Sequence, residues 1–204
     1  MYSNHQSARI DATPAAPFPA HATCCHAATI WFTGLSGSGK TTLASHLETH
    51  LRGCGVATVR LDGDCLRRGL NEDLDFSATG RAEGIRRAAQ VARLLNANGL
   101  TVLAALISPL ESDRDTARTI IGADNFFLVH VATPLATCES RDVKGLYRRA
   151  RAGEIPQFTG ITSPYEVPRN ADVRIDTSMM TVRDSLGMLL GRLAPFMESK
   201  RVGP

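Results

Sequence analysis

The period of apolar and polar positions changes repeatedly along the chain. Residues 28–34, ATIWFTG, are apolar at most positions, the pattern of a strand buried on both faces. From residue 41 the period becomes helical: Leu43, Leu47 and Leu51 share one face, and Gly53 and Gly55 end the run. Residues 56–64, VATVRLDGD, predict a second strand that turns polar at its carboxyl end. Residues 84–99 predict a helix with Ile85, Ala88, Ala92 and Leu95 inward, arginines outward and Asn98-Gly99 as a stop. Residues 100–108, LTVLAALIS, are apolar nearly throughout, which predicts a central third strand.

The second half continues the alternation. A helix is expected over 112–121, with Ser112 as its N-cap. Residues 126–133, FFLVHVAT, predict a fourth strand, after which Pro134 opens a helix at its first turn. Residues 144–152 look helical and basic. The Gly/Pro punctuation of 153–171 predicts a long loop or lid. A short fifth strand, VRIDT, and a closing helix over 181–196 complete the pattern. Strand–helix alternation of this kind predicts an α/β fold of three layers, a parallel five-stranded sheet with helices on both faces. Its ligands belong beyond the carboxyl ends of the strands, where Gly34 to Thr41, Asp62, Asp64 and Ser108 gather.

Composition narrows the class. A 204-residue chain with 43% hydrophobic and 21% charged residues fits one globular domain. A net charge of +3 gives no reason to expect a nucleic-acid partner. No apolar run approaches the length of a membrane span. The first 27 residues, rich in Ala, Pro, His and Ser, predict a disordered extension without a secretory signal, and hence a cytoplasmic protein. Cys24, Cys25, Cys54, Cys65 and Cys138 are odd in number and lack Cys-x-x-Cys spacing, which predicts free thiols rather than disulfides or a metal site.

The chemistry begins at Gly34-Leu35-Ser36-Gly37-Ser38-Gly39-Lys40-Thr41, which fits G-x-x-x-x-G-K-[ST] at every fixed position. Such a loop turns backbone N–H groups inward around β- and γ-phosphate oxygens at a helix N-terminus. Lys40 adds a point charge, and the Thr41 hydroxyl is the expected Mg²⁺ ligand. The motif implies ATP or a similar triphosphate, and the absence of an N/T-K-x-D run weighs against a GTPase. Asp62 and Asp64 at the second strand's end suggest one acid near Mg²⁺ water and one accepting an acceptor hydroxyl's proton. Arg67 and Arg81 suit an anionic acceptor. Phe76 either stacks on a base or belongs to a satellite core.

The runs GLSGSGKTT, LDGDCLRRGLNEDLDFS, ISPLESDRDTAR and RDVKGLYRRARAGEIPQFTGITSPYE together resemble the adenylylsulfate kinases, over about residues 28–197. The resemblance implies a P-loop kinase, commonly a homodimer, that uses MgATP to phosphorylate the ribose 3′-hydroxyl of adenylyl sulfate. It implies that Asp64 faces that hydroxyl and Arg67 the acceptor's anion. Phe76 and Phe158 would flank the adenine, Arg81 and Lys144 would touch phosphosulfate or ribose, and Ile107 and Ser108 would line the pocket. Ser108 also falls where family members are described as carrying a phosphoserine. Four positions depart from the family pattern: Cys65 and Gly84 stand for Asn, Gly80 for Asp, and Leu110 for the tyrosine after Ser-Pro. Gly84 is expected to leave open space, so that Gly84→Asn would tighten acceptor binding. Two other readings remain at this stage: a kinase for a different adenylylated or cytidylylated anion, and a non-catalytic ATP-binding regulator.

Overall fold

The computed structural model describes residues 27–199. The predicted N-terminal extension lies outside them apart from Ala27. Five parallel strands, β1 Thr29–Thr33, β2 Thr58–Asp62, β3 Thr101–Ala105, β4 Phe126–Val131 and β5 Val173–Ile175, form one sheet in the order β2-β3-β1-β4-β5. The register sets Thr29 beside Val102 on one side and beside Phe126 on the other. β1 is therefore the middle strand, and every residue in it is buried, as its unbroken apolar run requires.

Among the described residues seven α-helices accompany the strands: α1 Lys40–Gly53, α2 Gly63–Leu66, α3 Ala78–Ala97, α4 Glu111–Ile121, α5 Leu135–Arg141, α6 Leu146–Arg151 and α7 Val182–Glu198. Strand alternation sends Ile30, Phe32, Val129 and Ile175 to one face, where Leu43, Leu47 and Leu51 of α1 and Leu189 and Leu193 of α7 meet them. Trp31, Val102, Ala104, Phe126 and Leu128 face the other way, onto Ile85, Ala88 and Ala92 of α3 and Ala117 of α4. These two cores make the three layers. A third, small cluster of Cys138, Tyr147, Ala150 and Phe158 holds the lid region together.

Several helix starts differ from the sequence expectation, three of them in what caps or opens the helix. α3 begins at Ala78, six residues early, because the Ser77 side chain caps the Gly80 N–H at 3.0 Å and Asp75 Oδ1 in turn accepts from Ser77. Ser112 does not cap α4. The helix starts after Leu110, and the Glu166 carboxylate, from the far end of the lid, accepts the Glu111 N–H at 2.7 Å. Pro134 is the N-cap of α5 rather than a first-turn residue, since its ψ of 146° is extended. Thr181 caps α7. Among the described residues, no helix is long and apolar enough to cross a membrane, and Cys54, Cys65 and Cys138 are free thiols.

Candidate active site

The turn from β1 into α1 is shaped for an anion. Gly37 has φ +73° and sits so near α5 that a Cβ would lie 3.1 Å from the Cys138 carbonyl oxygen. Gly39, at the α1 N-cap, has φ +101°. No side chain caps α1 and its first turn carries no acid. The helix's leading N–H groups and positive end are thus left to a ligand. Lys40 is buried, and its Nζ donates to the carbonyls of Gly34 at 2.9 Å and Leu35 at 2.7 Å. Burial lowers its pKa from 10.5 to about 8, with Cys138, Asp62 and Asp64 opposing the shift.

That shift has a measurable consequence. A phosphate beside Lys40 favours the charged form, so its pKa rises on binding. Nucleotide then takes up a proton wherever the free protein's Lys40 is already neutral, above about pH 8. ADP affinity is expected to be flat between about pH 7 and 8 and to fall towards a limit of ~tenfold per pH unit above that. Calorimetry in two buffers of different ionisation enthalpy reads the proton uptake directly. A pH-independent affinity would contradict this arrangement of Lys40.

Around the loop lies the acidic pair. Thr41 Oγ1 donates to Asp62 Oδ2 at 2.8 Å, while Asp62 Oδ1 accepts the Asp64 N–H at 3.0 Å and so caps α2. Asp62 thereby ties the α1 hydroxyl to the end of β2. The Asp64 carboxylate is exposed and ion-paired with Lys144, which reaches it from the loop between α5 and α6. Asp62, Asp64, Thr41, Lys40 and Lys144 are therefore one constellation, although the sequence separates Lys144 from Asp64 by 80 residues.

The expected acceptor-side residues fall into open and packed groups. The Arg67 guanidinium lies 3.9 Å from the centre of the Phe76 ring, and its Nη1 donates to the Leu74 carbonyl at 3.3 Å. Phe76 is 58% exposed, so it stands open to solvent rather than in a satellite core. Arg81 reaches into the lid, donating to Thr159 Oγ1 at 3.0 Å and to the Gln157 carbonyl. Phe158 is buried, edge-on to Tyr147 with ring centres 5.0 Å apart. Arg86 and Arg87, by contrast, hold structure: Arg87 pairs with both Asp73 and Glu83 and donates to the Leu70 carbonyl.

Ile107 and Ser108 follow β3 directly. Ser108 is 2% exposed and has the strained φ of +38°. Its Oγ accepts the Trp31 indole N–H at 3.1 Å, and its carbonyl accepts from Arg114 Nη1 at 2.7 Å. The hydroxyl is thus occupied inside the protein instead of open to a phosphoryl donor.

The surroundings of Gly84 correct the expectation of open space there, and Gly80 is closely packed as well. A Cβ on Gly80 would collide with the Asp75 side chain and come within 2.7 Å of the Asp75 carbonyl. A Cβ on Gly84 would sit 3.1 Å from Asn71 Nδ2 and 3.6 Å from Leu74 Cδ1. The loop over 71–77 already fills both positions, pinned there by Arg87 and by the Asp75–Ser77 turn. Gly84→Asn is accordingly expected to raise the acceptor KM, because Asn71, itself buried, must move first. A lower KM in that variant would show that the loop yields freely.

Sequence reasoning missed the groups that brace the phosphate loop from outside. Thr133 and Thr177 hydroxyls each donate to the Ser38 carbonyl at 2.9 Å, and Arg141 Nη1 donates to the Gly37 carbonyl at 3.2 Å. No local pattern marks the threonines. Arg141 does fall in the RDVKGLY run.

The chain is similar to a set of known proteins. The family model described as adenylylsulphate kinase matches residues 26–176. A probable adenylyl-sulfate kinase of Halalkalibacterium halodurans is 54% identical over 161 residues, 79% of this chain and 77% of that protein. An adenylyl-sulfate kinase of Shewanella amazonensis is 56% identical over 151 residues, 74% of this chain and 76% of its own length. Among solved structures, a Mycobacterium tuberculosis APS kinase in complex with AMPPNP and APS is similar with a TM-score of 0.79 and 47% identity, covering 83% of this chain and 99% of the other.

Proposed function

Since the chain belongs to the adenylylsulfate kinase family, we propose that it transfers the γ-phosphoryl group of ATP to the 3′-hydroxyl of adenylyl sulfate, giving 3′-phosphoadenylyl sulfate. The observation that carries this reading is the meeting of two half-sites. Lys40 of the phosphate loop lies within electrostatic reach of Asp64 and Lys144, and Asp64 is also within reach of Arg67, which packs on Phe76 and neighbours Arg81.

Gly34 to Lys40 supply N–H groups and a charge for the donor's β- and γ-phosphates. Asp64 accepts the proton of the attacking hydroxyl. Lys144 pairs with Oδ2 of this carboxylate, which places its ammonium beside the acceptor's ribose or phosphosulfate. Arg67 offers a planar fork to the same anion. Phe76 presents an open face to the adenine, and Phe158 supplies the second face once the lid rearranges around it. Ile107 lines the pocket, and Ser108 fixes the backbone beside it through its bonds to Trp31 and Arg114. Transfer in this arrangement needs no phospho-enzyme, in keeping with the buried Ser108 hydroxyl.

The donor set of Thr41 and Asp62, a hydroxyl and a carboxylate 2.8 Å apart, suits Mg²⁺. Among the described residues no cluster of three or more His, Cys, Asp or Glu could hold a metal, so ATP oxygens and water would complete the shell. When bound, the ion neutralises charge on the β- and γ-phosphates. The resemblance further suggests a homodimer, and light scattering at several concentrations tests it.

The test of function is ADP release with saturating MgATP across a panel of acceptors. Adenylyl sulfate is expected to be turned over far better than other adenylylated or cytidylylated anions. Preference for one of those would replace the proposed acceptor, and the filled positions at Gly80 and Gly84 are where such a difference would lie.

A further inference from the structure

Tyr147 touches both halves of the site and takes no part in the chemistry described above. It is 1% exposed, at the start of α6. Its position is fixed from below: Asp142 Oδ1 accepts the Tyr147 N–H at 2.9 Å and Oδ2 accepts the Arg148 N–H at 3.1 Å. The phenol hydroxyl donates to the Ser36 carbonyl at 2.9 Å, across 111 residues of sequence. The ring meets Phe158 edge-on.

The Ser36 carbonyl and the Gly37 N–H belong to one trans peptide, so they point in opposite directions. Holding the carbonyl outward, towards α6, turns the Gly37 N–H inward to the concave side of the phosphate loop. The next two carbonyls are held likewise: Arg141 takes that of Gly37, and Thr133 and Thr177 that of Ser38. Tyr147 completes the set at Ser36. Burial raises the phenol's pKa well above its ordinary value, so the hydroxyl stays protonated and remains a donor.

We infer that Tyr147 is a positioning residue: its hydroxyl sets the inward direction of the Gly37 N–H, and its ring links that loop to Phe158 in the lid. This rests on reading Gly34 to Thr41 as the nucleotide's phosphate site. Tyr147→Phe removes the hydroxyl and keeps the ring contact. ADP is titrated calorimetrically into wild type and variant, their melting temperatures are compared, and KM is measured for ATP and for adenylyl sulfate.

The variant is expected to bind ADP about five- to tenfold more weakly, because the Gly37 N–H is no longer held inward before the nucleotide arrives and must be ordered on binding. The KM for ATP should rise in step, while the KM for adenylyl sulfate stays close to wild type and the melting temperature falls by no more than a few degrees. Unchanged ADP affinity overturns the inference. So does a fall in melting temperature that raises both KM values together, because that is general loosening of the lid cluster. Failure of the wild-type protein to bind ADP would instead remove the phosphate-site reading itself.

Discussion

Lys40→Ala is expected to lower kcat by a factor on the order of 10² to 10³, the cost of losing one preorganised charge at the transferred phosphoryl group. The same substitution is expected to leave the melting temperature unchanged or raise it. Burial holds Lys40 at about 8, so the fold tolerates its charged form poorly without a phosphate nearby. Its bonds to the Gly34 and Leu35 carbonyls offset only part of that cost. Steady-state kinetics and a melting curve on the same preparation separate the two effects. A variant that lost activity and also melted many degrees lower would show that Lys40 supports the loop's shape more than the reaction.

Asp64→Asn is expected to cost about 10² to 10⁴ in kcat, with the KM for ATP little changed. Asparagine keeps the shape but cannot accept the acceptor's proton. The phosphate loop is unaffected, because Asp62, not Asp64, makes the contact with Thr41. The Asp64 N–H that caps onto Asp62 is a backbone group and survives the substitution. If the variant kept more than about a tenth of wild-type kcat, the proton would be going elsewhere, and Asp64 would serve only as the partner of Lys144.

The parts of this site that could be read from sequence are those built by neighbours in the chain. The phosphate loop occupies eight consecutive positions after an apolar strand, and its cradle follows from that order alone. Asp62 and Asp64 were legible because β2 turns polar where it ends. The five strands were placed for the same reason, each being a short apolar run between turn signals.

What escaped was built by residues far apart. The α4 cap comes from Glu166, 55 residues after the N–H it accepts, so the nearby Ser112 was a decoy. Thr177 meets the Ser38 carbonyl across 139 residues. Ser77 was hidden as a cap because Gly80 and Gly84 resemble helix breakers, and only the folded-over 71–77 loop shows why small residues fit there. Phe76 and Phe158 looked equivalent as aromatic partners, yet one is exposed and the other lies within the lid cluster. Ser108 looked like an accessible hydroxyl because nothing in its neighbourhood of sequence announces Trp31, 77 residues earlier.

The most direct test of the account identifies the product. The protein is incubated with MgATP and adenylyl sulfate, and the nucleotides formed are separated and located by phosphorus NMR and mass spectrometry. ADP and adenylyl sulfate carrying one new phosphate, on the ribose 3′-oxygen, are expected in equal amounts. No 3′-phosphorylated product at millimolar acceptor, from a protein that turns over a different adenylylated or cytidylylated anion, would contradict it.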